Sequence, residues 1–152
     1  MRMDWRRRGV LVTDWFLFKP PPNRQALTAN LCCLLHGLCE DIEESRAYIG
    51  QHPGILKMLA QNLRPGGGGA YRANFEAFHL ITLLSKDFAN VMDVQNTQHM
   101  MGNIRQLKAR WKDTEIAEKV TNFLTKFDKT VARMRRQEVI MTLVLNAWRN
   151  LP

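Results

Sequence analysis

The stretch PGILKMLAQNLRPGGGGAYRANFEAFH, residues 53–79, joins two amphipathic segments through a proline and four glycines. Pro53 suits a first helical turn, where its missing N–H is not needed. Behind it Ile55, Leu56, Leu59 and Leu63 form an apolar stripe at helical spacing. Pro65 and Gly66–Gly69 then stop the helix and read as a flexible surface loop. A phosphate-cradling loop would follow its glycines with Lys and Ser or Thr, and Ala70 and Tyr71 stand there instead. A second helix is expected over about 70–86, with Phe75, Phe78, Ile81, Leu84 and also Phe88 turned inward. Phe75 and Phe78, three apart, share its buried side. Glu76 and His79, also three apart, either make a surface pair or line a groove.

Upstream, Leu27, Leu31, Leu34, Leu35 and Leu38 recur at three and four, which predicts an amphipathic helix ending near Cys39 with these leucines buried. Glu40, Asp41, Glu43 and Glu44 open a short helix toward Ile49, acids being favoured at a helix N-terminus. Downstream, shorter helices carry Val91, Val94 and Met100, then Ile104, Leu107 and Trp111. A helix after Lys112-Asp113 presents Ile116, Val120, Phe123, Leu124 and Phe127. A separate last helix, over 128–150, presents Val131, Met134, Met141, Val144, Leu145 and Trp148. The expected fold is all-α. The pattern over 27–63 recurs in part over 70–111, at 46 residues from Leu35 to Ile81 and 49 from Ile55 to Ile104. That is near the length of armadillo or HEAT repeats, so a helical repeat stack is expected, with a helix bundle as the alternative.

Pro20-Pro21-Pro22 separates this helical domain, 24–152, from a basic and apolar arm over 1–23. In the arm, Arg6-Arg7-Arg8 precedes Val10-Leu11-Val12 and Trp15-Phe16-Leu17-Phe18 in the manner of a signal sequence. Asp14 splits that apolar run, and Lys19 with the prolines replaces a small-residue cleavage site. Net charge is +8, unevenly spread: +4 over 1–24, −2 over 25–104 and +6 over 105–152. Basic ends on a near-neutral body suit an acidic partner, nucleic acid or lipid headgroups, or simply a solvated helix face. No uncharged apolar run reaches the length of a membrane-spanning helix. Cys32, Cys33 and Cys39 are odd in number and crowded into one helix, so a disulfide framework is not expected. Buried reduced thiols and a cytoplasmic protein are.

The ordered strings resemble the calcium-binding protein 39 family, also called mouse protein 25. Arg24-Gln25-Ala26-Leu27 is similar to the start of one inner helix, and Tyr48-Ile49, Pro53, Leu56-Lys57 and Leu63-Arg64 to the next unit. Phe75-Glu76-Ala77-Phe78-His79 matches the family's most recognisable string; Glu118-Lys119, Leu124 and Lys126 resemble its C-terminal helix. The similarity spans roughly 24–127 and corresponds to the family's last third, which implies a truncated or divergent relative. It implies an armadillo-like, non-catalytic scaffold for a protein kinase or pseudokinase of the sterile-20 type, or for its short Trp-Glu-Phe tail. On that resemblance Arg24 would anchor the tail carboxylate. Thr28 stands where the family has a lysine and Ala60 where it has a pocket methionine. Glu76 and His79 complete the partner-binding candidates. No Asp-x-Asp-x-Asp-Gly loop ends in glutamate, so no calcium site is expected.

No catalytic group, metal or cofactor is expected. His36, His52, His79 and His99 are dispersed, without a His-Glu-x-x-His pair. Cys39 beside Glu40 and Asp41 has its thiolate disfavoured. Glu43 and Glu44 diverge on a helix and form no dyad. The alternative function is nucleic-acid binding, through Arg105, Lys108, Arg110, Trp111 and Lys112 or through Arg133, Arg135 and Arg136.

Overall fold

The computed structural model describes residues 24–64 and 71–152; the arm and the glycine loop lie outside the described residues. Within them the chain forms seven helices and no strand. These are α1 (Arg24–Asp41), α2 (Glu43–Gly50), α3 (Pro53–Asn62), α4 (Tyr71–Leu84), α5 (Phe88–Asn96), α6 (Met100–Arg110) and α7 (Glu115–Arg149). Local chemistry sets several boundaries. Glu43 and Glu44 lie in the first turn of α2 and Pro53 in that of α3. Asp87 caps α5 by accepting from the Ala89 N–H at 3.0 Å. Asp113, at φ 63°, turns the chain into α7; aspartate tolerates this left-handed conformation better than most residues.

The helices pack three on three. α1 lies against α4, α2 against α5 and α3 against α6. The offset from Arg24 to Tyr71, and from Pro53 to Met100, is 47 residues. α7 packs on α6 and α5, and its Phe123 meets Phe78 of α4 edge to face at 5.5 Å. α4 is the centre of this arrangement. Ala73, Asn74, Ala77, Phe78, Leu80, Ile81, Leu83 and Leu84 are all buried, which leaves almost no open side.

Three expectations need correction. The α1 leucines divide: Leu31 and Leu35 are half-buried against the core as expected, but Leu27, Leu34 and Leu38 are exposed, Leu34 by 71%, while Thr28, Ala29, Cys32 and Cys39 face inward. Small residues on α1, with Ala73 and Ala77 on α4, let the two helices approach closely, and close approach outcompetes the burial of larger side chains on another face. Second, the two helices expected over 115–150 are one, about 52 Å long at the usual rise. No proline or glycine interrupts it. Its core contacts end at Val131 and half-buried Met134, and Met141, Val144, Leu145 and Trp148, expected inward, are exposed. Third, Phe88 is half exposed at the start of α5, and Cys33, adjacent to Cys32 and so pointing about 100° away, is exposed. Burial pushes the Cys32 thiol up to about 12, with Glu76 and Cys33 adding to the effect.

Buried carboxamides tie the two groups of three together. Asn74 on α4 donates to the Asn62 carbonyl at 2.7 Å, and its oxygen accepts from Trp111 Nε1 at 3.0 Å and from Arg110 at 3.1 Å. Asn90 on α5 donates to the Arg46 carbonyl at 2.8 Å and the Leu84 carbonyl at 3.0 Å. Asn103 on α6 donates to the Ala60 carbonyl at 2.8 Å. Gly50 makes the Asn90 contact possible, since a Cβ there would overlap the Asn90 carboxamide.

Phe78 is 1% exposed at the meeting of α4 and α7. Phe78→Ala should therefore destabilise the fold by about 3–5 kcal/mol. Denaturant unfolding monitored by helicity checks this, and an unchanged midpoint would contradict it.

Candidate functional site

α4 and α7 leave a groove between them of about 440 Å³. Its floor is apolar: Phe78, Val91, Phe123 and Phe127, all buried as residues, with Phe123 and Phe127 rings 5.1 Å apart. Its rim is cationic. Lys119 and Lys126, seven apart on α7, fall on one side of that helix, and Lys86 follows the end of α4. Among the described residues no aspartate or glutamate lines it. Thr82, Ser85, Asn122 and Thr130 add hydroxyl and amide groups. Ser85 Oγ is buried and has no hydrogen-bond partner among the described residues. Lys119 is positioned twice, by Glu115 Oε1 at 2.8 Å one turn earlier and by the Phe75 ring, 4.9 Å from its Nζ.

His79 forms one wall of the groove and stacks on His36 of α1, ring centres 4.1 Å apart, with Phe75 at 5.7 Å. Burial pushes its pKa down, as do the neighbouring His36 and Lys119, while Glu76 and Glu40 oppose the shift. His36 in turn lies 3.7 Å from Glu40. A neutral imidazole at His79 keeps the groove's cationic character on the lysines.

The other sequence candidates lie elsewhere. Ala60 on α3 is buried and borders a separate cavity of about 410 Å³, lined by Leu56, Lys57, Gln61, Arg64, Asp93 and His99 among others. That cavity is mixed in charge, and Ala60 contributes its carbonyl to Asn103. Thr28 is 2% exposed in the contact side of α1 and presents no surface to a ligand. Glu76 is half-buried on α4 and acts electrostatically on Cys32 and His79. Arg24 begins α1, and its side chain lies outside the described residues. The structure thus gathers His79 with Lys86, Lys119 and Lys126, and does not gather Ala60 with His79. The signal for the lysines was present in the sequence: Lys119 and Lys126 flank Phe123 at one helical repeat of seven.

The basic run proposed for nucleic acid is partly committed to the fold. Arg110 reaches Asn74 and the Leu63 carbonyl, and Trp111 donates to Asn74 while meeting Tyr71 edge to face at 5.1 Å. Arg105 pairs with Asp128 at 3.7 Å. Trp111 is therefore a structural aromatic, not an open stacking platform. Among the described residues no three His, Cys, Asp or Glu side chains come together as a metal site, and no helix is long and apolar enough to cross a membrane.

The lowered pKa of His79 predicts a pH dependence of stability. Above the ordinary value of 6.5 both folded and unfolded chains carry a neutral imidazole there, and its contribution is constant. As pH falls below 6.5 the unfolded chain protonates first, so stability drops until the folded-state value is passed. His79→Gln should flatten this fall in thermal midpoint relative to the parent; parallel pH profiles would contradict the assignment.

Compared with family models, curated proteins and solved structures, the chain matches none.

Proposed function

We propose that this chain is a non-catalytic scaffold that takes a short hydrophobic and acidic segment of a protein partner in the groove between α4 and α7. The observation that carries this is the pairing of an aromatic floor with a rim of three lysines, Lys119 among them paired with Glu115, and no carboxylate among the described residues that line the groove. An apolar side chain seated over Phe123, which at 7% exposure is more open than Phe78, gains burial, and a carboxylate beside Lys119 and Lys126 gains charge-assisted hydrogen bonds. Such a groove recognises chemistry already present in a Trp-Glu-Phe tail.

The pairing of α1 with α4, α2 with α5 and α3 with α6 supports reading the helices as two units of three, with α7 opening a third. In an armadillo-like stack a groove between equivalent helices of successive units is a natural peptide site. The partner class, a protein kinase or pseudokinase of the sterile-20 type, comes from the resemblance of 24–127 to the calcium-binding protein 39 family. The aromatic string at Phe75–His79, its best-matched part, supplies both floor and wall of the groove.

Titration of a peptide ending in Trp-Glu-Phe tests the proposal. The parent should bind, and Lys119→Glu with Lys126→Glu should weaken binding by at least tenfold through lost charge pairing. Lys57→Glu, in the other cavity, should leave affinity unchanged. Loss of binding in Arg24→Ala but not in the lysine variant would move the site to the position implied by the resemblance. No binding by the parent would remove the tail reading altogether.

A further inference from the structure

Two apolar faces at opposite ends of the helical order have no partner among the described residues. On α1 and the turn after it, Leu27, Leu34, Leu38 and Ile42 are exposed, and at helical spacing they fall on one side. On the far half of α7, Val139, Ile140, Met141, Leu143, Val144, Leu145 and Trp148 are exposed, with Leu151 just beyond, and Trp148 by 72%. Around that half-helix the polar side holds Glu138, Thr142, Asn146 and Arg149, so the apolar side spans more than half the circumference.

Each face ends in charge of the opposite sign. The leucine face of α1 runs into Glu40, Asp41, Glu43 and Glu44, all exposed. The apolar half of α7 begins at Arg133, Arg135 and Arg136, also exposed. Among the described residues no salt bridge engages these three arginines, nor Asp41, Glu43 or Glu44.

We propose that copies of this chain associate end to end, the apolar half of α7 from one copy lying antiparallel on the leucine face of α1 in the next. The charges set the direction. In an antiparallel arrangement Arg133 and Arg136, on the apolar side of α7, come toward the acidic end of α1, and the last apolar residues of α7 come toward Leu27. The contact is heterologous, so it leaves a free face at each end and builds chains or rings of copies. A symmetric pairing of two α7 tails accounts for less. It leaves the α1 leucines bare, and Glu138 is the only acid in 129–152 to meet the arginines. A lipid surface is also disfavoured, because the polar side of 138–151 carries one acid and one base and no net positive charge. The groove between α4 and α7 is not used, so this inference stands or falls separately from the peptide site.

Complementation tests it. The full chain should sediment as species larger than its 17.6 kDa monomer, in a concentration-dependent way. Leu34→Glu and Val144→Glu each place a charge on an exposed position of one face, so each variant should stay helical and monomeric. Mixed in equal amounts they should form a heterodimer and nothing larger, since one intact tail then meets one intact α1 face. Arg135→Glu combined with Arg136→Glu serves in place of Val144→Glu if that variant loses helicity. A full chain that is monomeric at every concentration, whether or not it binds anionic vesicles, overturns the proposal. So does self-association of Leu34→Glu alone, which means tail-to-tail pairing, or a mixture that stays monomeric.

Discussion

The burial of α4 on nearly every side is the constraint on which the rest of the structure depends. A helix with Phe78, Leu80, Ile81, Leu83 and Leu84 all enclosed requires neighbours all around it, and α1, α2, α3 and α5 supply them. α7 closes what remains through Phe123 on Phe78. The requirement acts differently on each neighbour. α1 meets α4 through small residues on both helices, which brings the backbones close and turns Leu27, Leu34 and Leu38 to the outside. α7 covers α4 only as far as its aromatic positions extend, which leaves a groove above them and a half-helix with nothing beneath it among the described residues.

Apolar packing of this kind is weakly directional, and the buried asparagines supply the direction. Asn74, Asn90 and Asn103 each reach from the second group of helices to a backbone carbonyl of the first. A single such bond adds only about 1 kcal/mol net, but a slip in register would leave a buried amide without a partner at a cost of about 1–3 kcal/mol. Asn74 is the most constrained, since it also accepts from Arg110 and Trp111 and thereby fixes the end of α6. Asn90 has no partner for its oxygen among the described residues, and that cost is offset by two bonds from its nitrogen and by close seating on Gly50.

Much of this was legible in the sequence, and what was not has identifiable causes. The helical class, the breaks at Pro53 and after Leu63, and the inward Phe78, Ile81 and Leu84 follow from spacing and from proline and glycine chemistry. The leucine stripe of α1 misled because periodicity reports that a helix has an apolar side, not that something covers it. Ala29 and Cys32, short side chains of modest hydrophobicity, outranked it through close packing. The unity of α7 was hidden for a related reason: its apolar pattern rotates between Val131 and Met141, which suggests two helices, yet no residue there breaks the backbone. The asparagine ties were invisible because a polar residue in a helical pattern is first read as surface. Of the candidate site residues, His79 lies in the groove with Lys86 seven residues on, and the other two lysines that make the groove cationic, Lys119 and Lys126, come from a helix at least 40 residues later. Only the tertiary contact of α4 with α7 brings them together.

The central claim is that the aromatic floor under Lys119 and Lys126 is a binding surface for a hydrophobic and acidic peptide. Amide shift mapping of the full chain during addition of a Trp-Glu-Phe-ended peptide tests it most directly. The account predicts saturable changes concentrated at Thr82, Asn122, Phe123 and Thr130, on both sides of the groove. Changes centred instead on Gln61, Asn96 and Thr97, around the other cavity, or no saturable change at all, would contradict it.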